Sequence, residues 1–219
     1  MVKWEALLQV PHTELTEGAD AEFKATLEQL AEKTQGASAD ELDAVAIEAE
    51  DAARTFLAKV QATDPKQPFD ITFFVKNANL TSTDGWTANN STALPTINYS
   101  CGEFYERNLD MTQRLDYMPK GMYEMRVQGF QRPGAIGAVS SNYASGQNDV
   151  NAFIYFTNVR NKQLIYNIMQ GAQDQKIGKG KESVVGVQYV PNDMESASAY
   201  FEKGLYENVY QFSQSAKKA

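Results

Sequence analysis

Cysteine is almost missing from this 219-residue chain, and the single thiol, Cys101, has no internal partner for a disulfide. Histidine is equally scarce. His12 is the one imidazole, which removes most hydrolytic triads and multi-histidine metal centres. No run of about 18 apolar residues occurs, so no segment reads as a membrane-spanning helix. The N-terminus, MVKWEALLQVPH, is broken by Glu5 and Pro11 and lacks the apolar core of a signal peptide. Either the protein acts in the cytosol or its export signal is not part of this sequence. Basic residues are in deficit, 20 Lys/Arg against 28 Asp/Glu for a net charge of −8, the opposite of the footprint that phosphate recognition needs. No EF-hand loop, Cys/His cluster, Walker loop or dinucleotide fingerprint is present.

What is there divides unevenly. Residues 1–64 hold 14 Asp/Glu against 5 Lys/Arg, whereas residues 65–219 hold 14 against 15. Only Trp4, Phe23 and Phe56 of the 24 aromatics, and 2 of the 14 glycines, precede the junction. The Pro-containing stretch TDPKQP marks a change of structural class at Asp64–Pro65. The domain expectation is therefore 1–64 as an acidic helical hairpin or spacer and 65–219 as a β domain.

In the first segment Leu42, Val45, Ala46, Ala49, Ala53, Phe56, Leu57 and Val60 recur at the three-four spacing of one helix face over 39–61. Ser38 and Glu41 form a capping box at its start. Phe23, Leu27 and Leu30 give a shorter stripe that ends at Gly36, a left-handed C-cap position. Trp4, Leu7 and Leu8 suggest a further turn or two, ended by Pro11. The acidic residues fall on the outward, solvated face.

The second segment reads as short strands at 70–76, 103–106, 108–115, 122–130, 151–158, 163–168, 182–190 and 206–212, with a short helix at 191–203 ended by Gly204. Alternation is clearest around FYERNLDMTQRLDYMPKGMYEMRVQGFQRPG. Leu109, Met111, Gln113 and Leu115 share one side, and Tyr123, Met125, Val127 and Gly129 share one side beyond the Pro119–Gly121 reversal, which predicts a β-hairpin. Many short strands without long helices predict an antiparallel sandwich or barrel, and α+β for the chain as a whole.

Asn77, Gly85, Trp86, Gln113, Pro119, Gly121, Tyr123, Val127, Gly129, Phe130 and Arg132 fall on a pattern that resembles the galactose-binding-like, jelly-roll β-sandwich domains of large surface and secreted proteins of gut Bacteroidetes. The resemblance covers roughly 68–212, and the preceding segment is similar to the FIVAR-type hairpins such proteins use as spacers. It implies a non-catalytic carbohydrate-binding module, extracellular or at the cell surface, with its export signal outside this sequence. A glycan or polysaccharide is then the expected partner. Each matching residue also has a fold-making reason: Trp86 after Gly85 reads as core rather than as a sugar platform, and a buried Gln113 needs an internal hydrogen bond.

Sugar sites combine aromatic faces with planar polar groups. The segment 131–149, without strand periodicity and rich in Gly, Ser and Asn, is the expected binding loop. Its candidates are Arg132, Asn142, Tyr143, Asn148 and Asp149, with Tyr117, Tyr105 and Arg107 as secondary candidates for the same rim. The resemblance also implies a structural calcium near the first strand, for which Asn77, Asn79 and Asp84 offer oxygens, although only one is a carboxylate and calcium takes six to eight oxygens. Glu103 and Glu106 sit on one strand edge, unlike glycosidase carboxylates placed across a cleft. Cys101 reads as a small strand residue. A spacer or adhesin domain without glycan binding, or an accessory part of a glycoside hydrolase, are the alternatives the residues leave open.

Overall fold

Residues 2–90, 92–115, 118–156, 162–179, 182–186 and 188–214 are described by a computed structural model. The chain is mixed α+β and divides into two units, each considered by itself. The first holds the described residues of Met1–Lys76 and Arg114–Lys120; the second holds Asn77–Gln113 and Gly121–Gln214.

In the first unit α1 (Val2–Glu5) continues into a 3-10 turn at Ala6–Gln9 and buries Trp4 and Leu7. β1 (His12–Glu14) leads to α2 (Ala19–Lys33) and α3 (Ala39–Leu57), and β2 (Val60–Ala62) returns to pair antiparallel with β1. α3 starts on the Ser38–Glu41 capping box, in which the Glu41 carboxylate accepts from the Ser38 N–H at 2.7 Å, and Gly36 turns the preceding loop at φ +73°. The helices run antiparallel. Phe23 at the start of α2 stacks on Phe56 at the end of α3 with centroids 4.5 Å apart, while Lys33 at the end of α2 pairs with Glu48 at 2.6 Å.

The run expected as a strand at 70–76 is instead a 3-10 turn, Thr72–Phe74. The Asp70 carboxylate accepts from the Thr72 N–H at 2.9 Å, an Asx turn that competes with extended backbone. Phe73 meets Trp4 edge-on at 4.4 Å and Arg54 lies 4.0 Å over the Phe74 ring. The aromatic pair thus completes the helical core rather than a sheet, and the chain between the Asp64–Pro65 junction and Lys76 packs with the helices.

The second unit contains β3 (Thr87–Ala88), β4 (Thr96–Asn98), β5 (Cys101–Glu103), β6 (Met111–Thr112), β7 (Gly121–Gln128), β8 (Phe130–Gln131), α4 (Ile136–Ala144), β9 (Phe153–Tyr155), β10 (Lys162–Leu164), β11 (Tyr166–Asn167), β12 (Glu182–Val185), β13 (Gln188–Pro191), α5 (Met194–Glu202) and β14 (Glu207–Gln214). Antiparallel pairs are β3–β6, β4–β5, β7–β14, β9–β10 and β12–β13; β8 and β11 pair in parallel.

Two expectations are corrected here. The strands on either side of Pro119–Gly121 do not pair with each other: β6 pairs with β3, and β7 pairs over its whole length with β14. Asp110 explains the first choice. Its backbone carbonyl accepts from the Asn89 N–H at 2.8 Å, its backbone N–H and carbonyl both engage the Thr92 hydroxyl at 3.2 Å, and its carboxylate accepts from Asn90 at 2.8 Å. Those bonds tie the residue before β6 to the residues that follow β3, which holds β6 on β3. β14 wins β7 because both alternate over eight residues and place Tyr123 opposite Phe212 and Met125 opposite Tyr210. The second correction concerns 182–190, which is two strands reversing at Gly186 with φ +64°, not one.

Candidate functional site

Tyr206 begins a buried corner of the second unit. Its backbone is left-handed, φ +59°, a conformation costly for a residue with a Cβ. The ring holds it there. Its hydroxyl donates to the Ile168 carbonyl at 2.7 Å, and its face lies 4.8 Å from Phe130. Burial pushes the phenol well above its usual range.

Two residues on, buried Asn208 of β14 ties the corner to β7 and β11. Its Nδ2 donates to the carbonyls of Val127, Gly129 and Tyr206 at 3.1, 2.8 and 2.9 Å, and its Oδ1 accepts from the Tyr166 N–H at 2.8 Å. Between these fixed neighbours, Glu207 is exposed and its Oε2 accepts from Arg126 Nη1 at 3.1 Å. On the facing turn, Asn167 and Gln170 cap Ile168–Gly171 reciprocally. An open depression of about 400 Å³ lies here, lined among others by Asn148, Gln163, Tyr166, Gln170, Glu207 and Asn208.

This lining offers three amide side chains at its exposed rim, one carboxylate and one half-buried ring. Such planar donors and acceptors match paired sugar hydroxyls. Among the described residues of the lining Glu207 is the one carboxylate, whereas glycoside hydrolysis uses a pair.

Of the residues expected to bind glycan, Asn148 lines the depression. The others do not. Arg132 donates through Nη1 to Asn192 Oδ1 at 2.8 Å, and the Asp149 backbone carbonyl accepts from Gln131 at 2.5 Å. Asn142 and Tyr143 lie on α4, so the expected loop 131–149 carries a nine-residue helix. Ile136, Val139 and Tyr143 form its apolar face, and Tyr143 is half-buried against the cluster of Val139, Ile168, Val190 and Tyr200. Tyr117 lies outside the described residues. Tyr105 and Arg107 are exposed. Trp86 is half-buried on its Gly85 turn, where φ is +85°, and its Nε1 is buried with no partner among the described residues.

At the residues named for calcium, Asn77 Nδ2 donates to the Asp84 carbonyl at 2.9 Å, Asn77 and Asn79 both accept from the Thr81 hydroxyl at 3.4 Å, and the Asp84 carboxylate accepts from Ser82 at 3.0 Å. One carboxylate and two engaged amides fall short of a calcium shell. Among the described residues, no group of three or more His, Cys, Asp or Glu side chains is gathered as for a metal. A hydrogen-bond network does surround Asp110, where Tyr155 donates to Oδ1 at 2.8 Å and its phenol is pushed up to about 12 by burial and then by that carboxylate. It closes loops rather than opening a site. Cys101 is buried, and desolvation raises its thiol above the ordinary range, which keeps it a poor nucleophile.

Comparison with known proteins adds no relative: no protein-family model, no curated protein and no solved structure matches the chain significantly. Among the described residues no helix is long and apolar enough to cross a membrane.

Proposed function

We propose that this chain is a non-catalytic carbohydrate-binding module of a bacterial cell-surface or secreted protein. Residues 65–219 are read as a galactose-binding-like, jelly-roll sandwich, on the resemblance of Gly85, Trp86, Gln113, Pro119, Gly121 and Arg132 to that pattern. The acidic residues 1–64 are read as a spacer.

One observation carries the binding reading. The depression beside β14 collects Asn148, Gln163, Gln170 and Glu207 at its rim and the Tyr166 ring, over a floor fixed by Asn208. A rigid floor with planar polar groups lowers the ordering cost of binding a weakly held ligand such as a sugar. A glycan array probed with the wild-type chain and with Asn148→Ala/Gln163→Ala tests it. Binding that the double variant loses supports the reading.

A spacer without glycan binding is the second reading, favoured by Tyr143. That ring packs on the core rather than standing open for stacking, and a wild-type chain that binds nothing on the array selects this alternative.

A further inference from the structure

Among the described elements β7 is an edge strand: β14 is the one strand hydrogen-bonded to it, so among the described residues its second side presents a row of backbone donors and acceptors with no strand partner. Met122, Glu124, Arg126 and Gln128 are exposed on one face, alternating with half-buried Gly121, Tyr123, Met125 and Val127 on the other. Open edges are commonly guarded by charge that repels a second strand. Here the two charges have opposite sign and sit two residues apart.

We propose that β7 pairs with β7 of a second copy of this chain, antiparallel about a two-fold axis through Met125. An isologous contact needs a self-complementary surface, and this strand is complementary in one register. With Met125 opposite Met125, Glu124 lies opposite Arg126 of the other copy on the exposed face, and Tyr123 lies opposite Val127 on the half-buried face. Both are favourable cross-strand pairs. Sliding by two residues in one direction sets Glu124 against Glu124, and in the other direction Arg126 against Arg126. Sliding by one sets every exposed side chain opposite a half-buried one. The charges therefore select the register instead of blocking it. Within one copy Arg126 already bridges Glu124 and Glu207, at 2.7 and 3.1 Å, so its guanidinium is held at the edge where the second Glu124 arrives.

Sedimentation velocity of the full chain over a concentration series tests this. The mass is expected to rise from 24.3 kDa toward twice that value. Glu124→Arg places like charges opposite at both symmetric sites and weakens association about tenfold or more; adding Arg126→Glu restores it. At the axis the Cα atoms lie about 4.5–5.5 Å apart, within the ~4.4–6.8 Å a disulfide spans. Mild oxidation is therefore expected to cross-link Met125→Cys and to leave Val127→Cys monomeric. A mass of 24.3 kDa at every concentration overturns the proposal, as does a dimer indifferent to the charge exchange. Equal cross-linking at positions 125 and 127 overturns the register. Should Glu124→Arg fail to fold by circular dichroism, the Met125→Cys result decides.

Discussion

Gly171 lies against the ring of Tyr206 so closely that a Cβ placed on it would stand 2.3 Å from Cε1 and 2.6 Å from Cδ1. Neither side has room to yield. The ring is pinned by its hydroxyl on Ile168 and by Phe130, and Gly171 ends the capped turn that carries Ile168. Gly171→Ala is expected to cost about 1–3 kcal/mol as overpacking, measured by urea unfolding. Tyr206→Phe leaves the Ile168 carbonyl without that donor, at a cost of about 1–3 kcal/mol. A wild-type midpoint for Gly171→Ala would contradict the packing described.

Asn208 supports the floor of the depression. Asn208→Leu keeps the branched shape but removes all four side-chain hydrogen bonds, so the Tyr166 N–H and the Gly129 carbonyl lose this partner, while the Tyr206 carbonyl still accepts from the Gly129 N–H. The expected loss is on the order of 3 kcal/mol. Asn208→Asp is expected to be worse than Leu at neutral pH, since a carboxylate faces the same three carbonyls. Denaturant midpoints of the two variants check the order.

His12 gives a pH signature. Its side chain is 6% exposed, with Nε2 2.8 Å from Asp20 Oδ1 and Nδ1 2.5 Å from the Val10 carbonyl. Both nitrogens face acceptors, which only the doubly protonated ring satisfies as a donor. Burial opposes the charge, but the hydrogen bonds to Asp20 and Val10 outweigh it, and the pKa is raised. A raised folded-state pKa stabilises fully below the unfolded value of about 6.5 and is lost as pH rises through the folded value. Unfolding stability is therefore expected to fall on going from mildly acidic to mildly alkaline solution, and Asp20→Asn flattens that slope. As His12 is the one histidine, its proton resonances report the pKa directly. A value below that of a model peptide would contradict the arrangement.

The turn between β4 and β5 carries strain that substitution relieves. Tyr99 and Ser100 both have positive φ, 50° and 53°, the type I′ geometry that prefers Asn–Gly. Ser100→Gly is expected to raise stability by about 1 kcal/mol, read as a higher thermal midpoint. A lower midpoint would mean that the Ser100 side chain contributes to the turn.

How much of this was legible depended on whether a signal was local. The Ser38–Glu41 box, the short helix before Gly204 and most of the helical stripe are read within a few residues, and the structure has them: Val45, Ala49, Ala53, Phe56 and Leu57 are buried on α3, whereas Leu42 and Ala46, expected on the same face, are exposed. Strand pairing is not local. Period-two patterns marked β7 and β14 separately, but nothing in Pro119–Gly121 said that β7 would leave β6 for a strand some 80 residues on. Helix α4 had a signal that went unread: Ile136, Val139 and Tyr143 follow helical spacing, with Pro133 before them and Gly146 after, inside a segment whose Gly, Ser and Asn content suggested a loop. Of the residues that line the depression, Asn148 was already a candidate from the composition of its loop. Gln163, Gln170 and Glu207 were not, because isolated polar residues on strands and turns look like ordinary surface until the fold gathers them.

The most direct measurement of the carbohydrate reading is native affinity electrophoresis through gels containing soluble neutral polysaccharides. It compares the wild-type chain with Asn148→Ala/Glu207→Gln, both shown to be folded. The account predicts that at least one polysaccharide retards the wild type and that the double variant loses about tenfold or more in affinity, the effect of one charge-assisted and one neutral hydrogen bond. Equal retardation of the two proteins, or wild-type mobility unchanged by every polysaccharide, would contradict it.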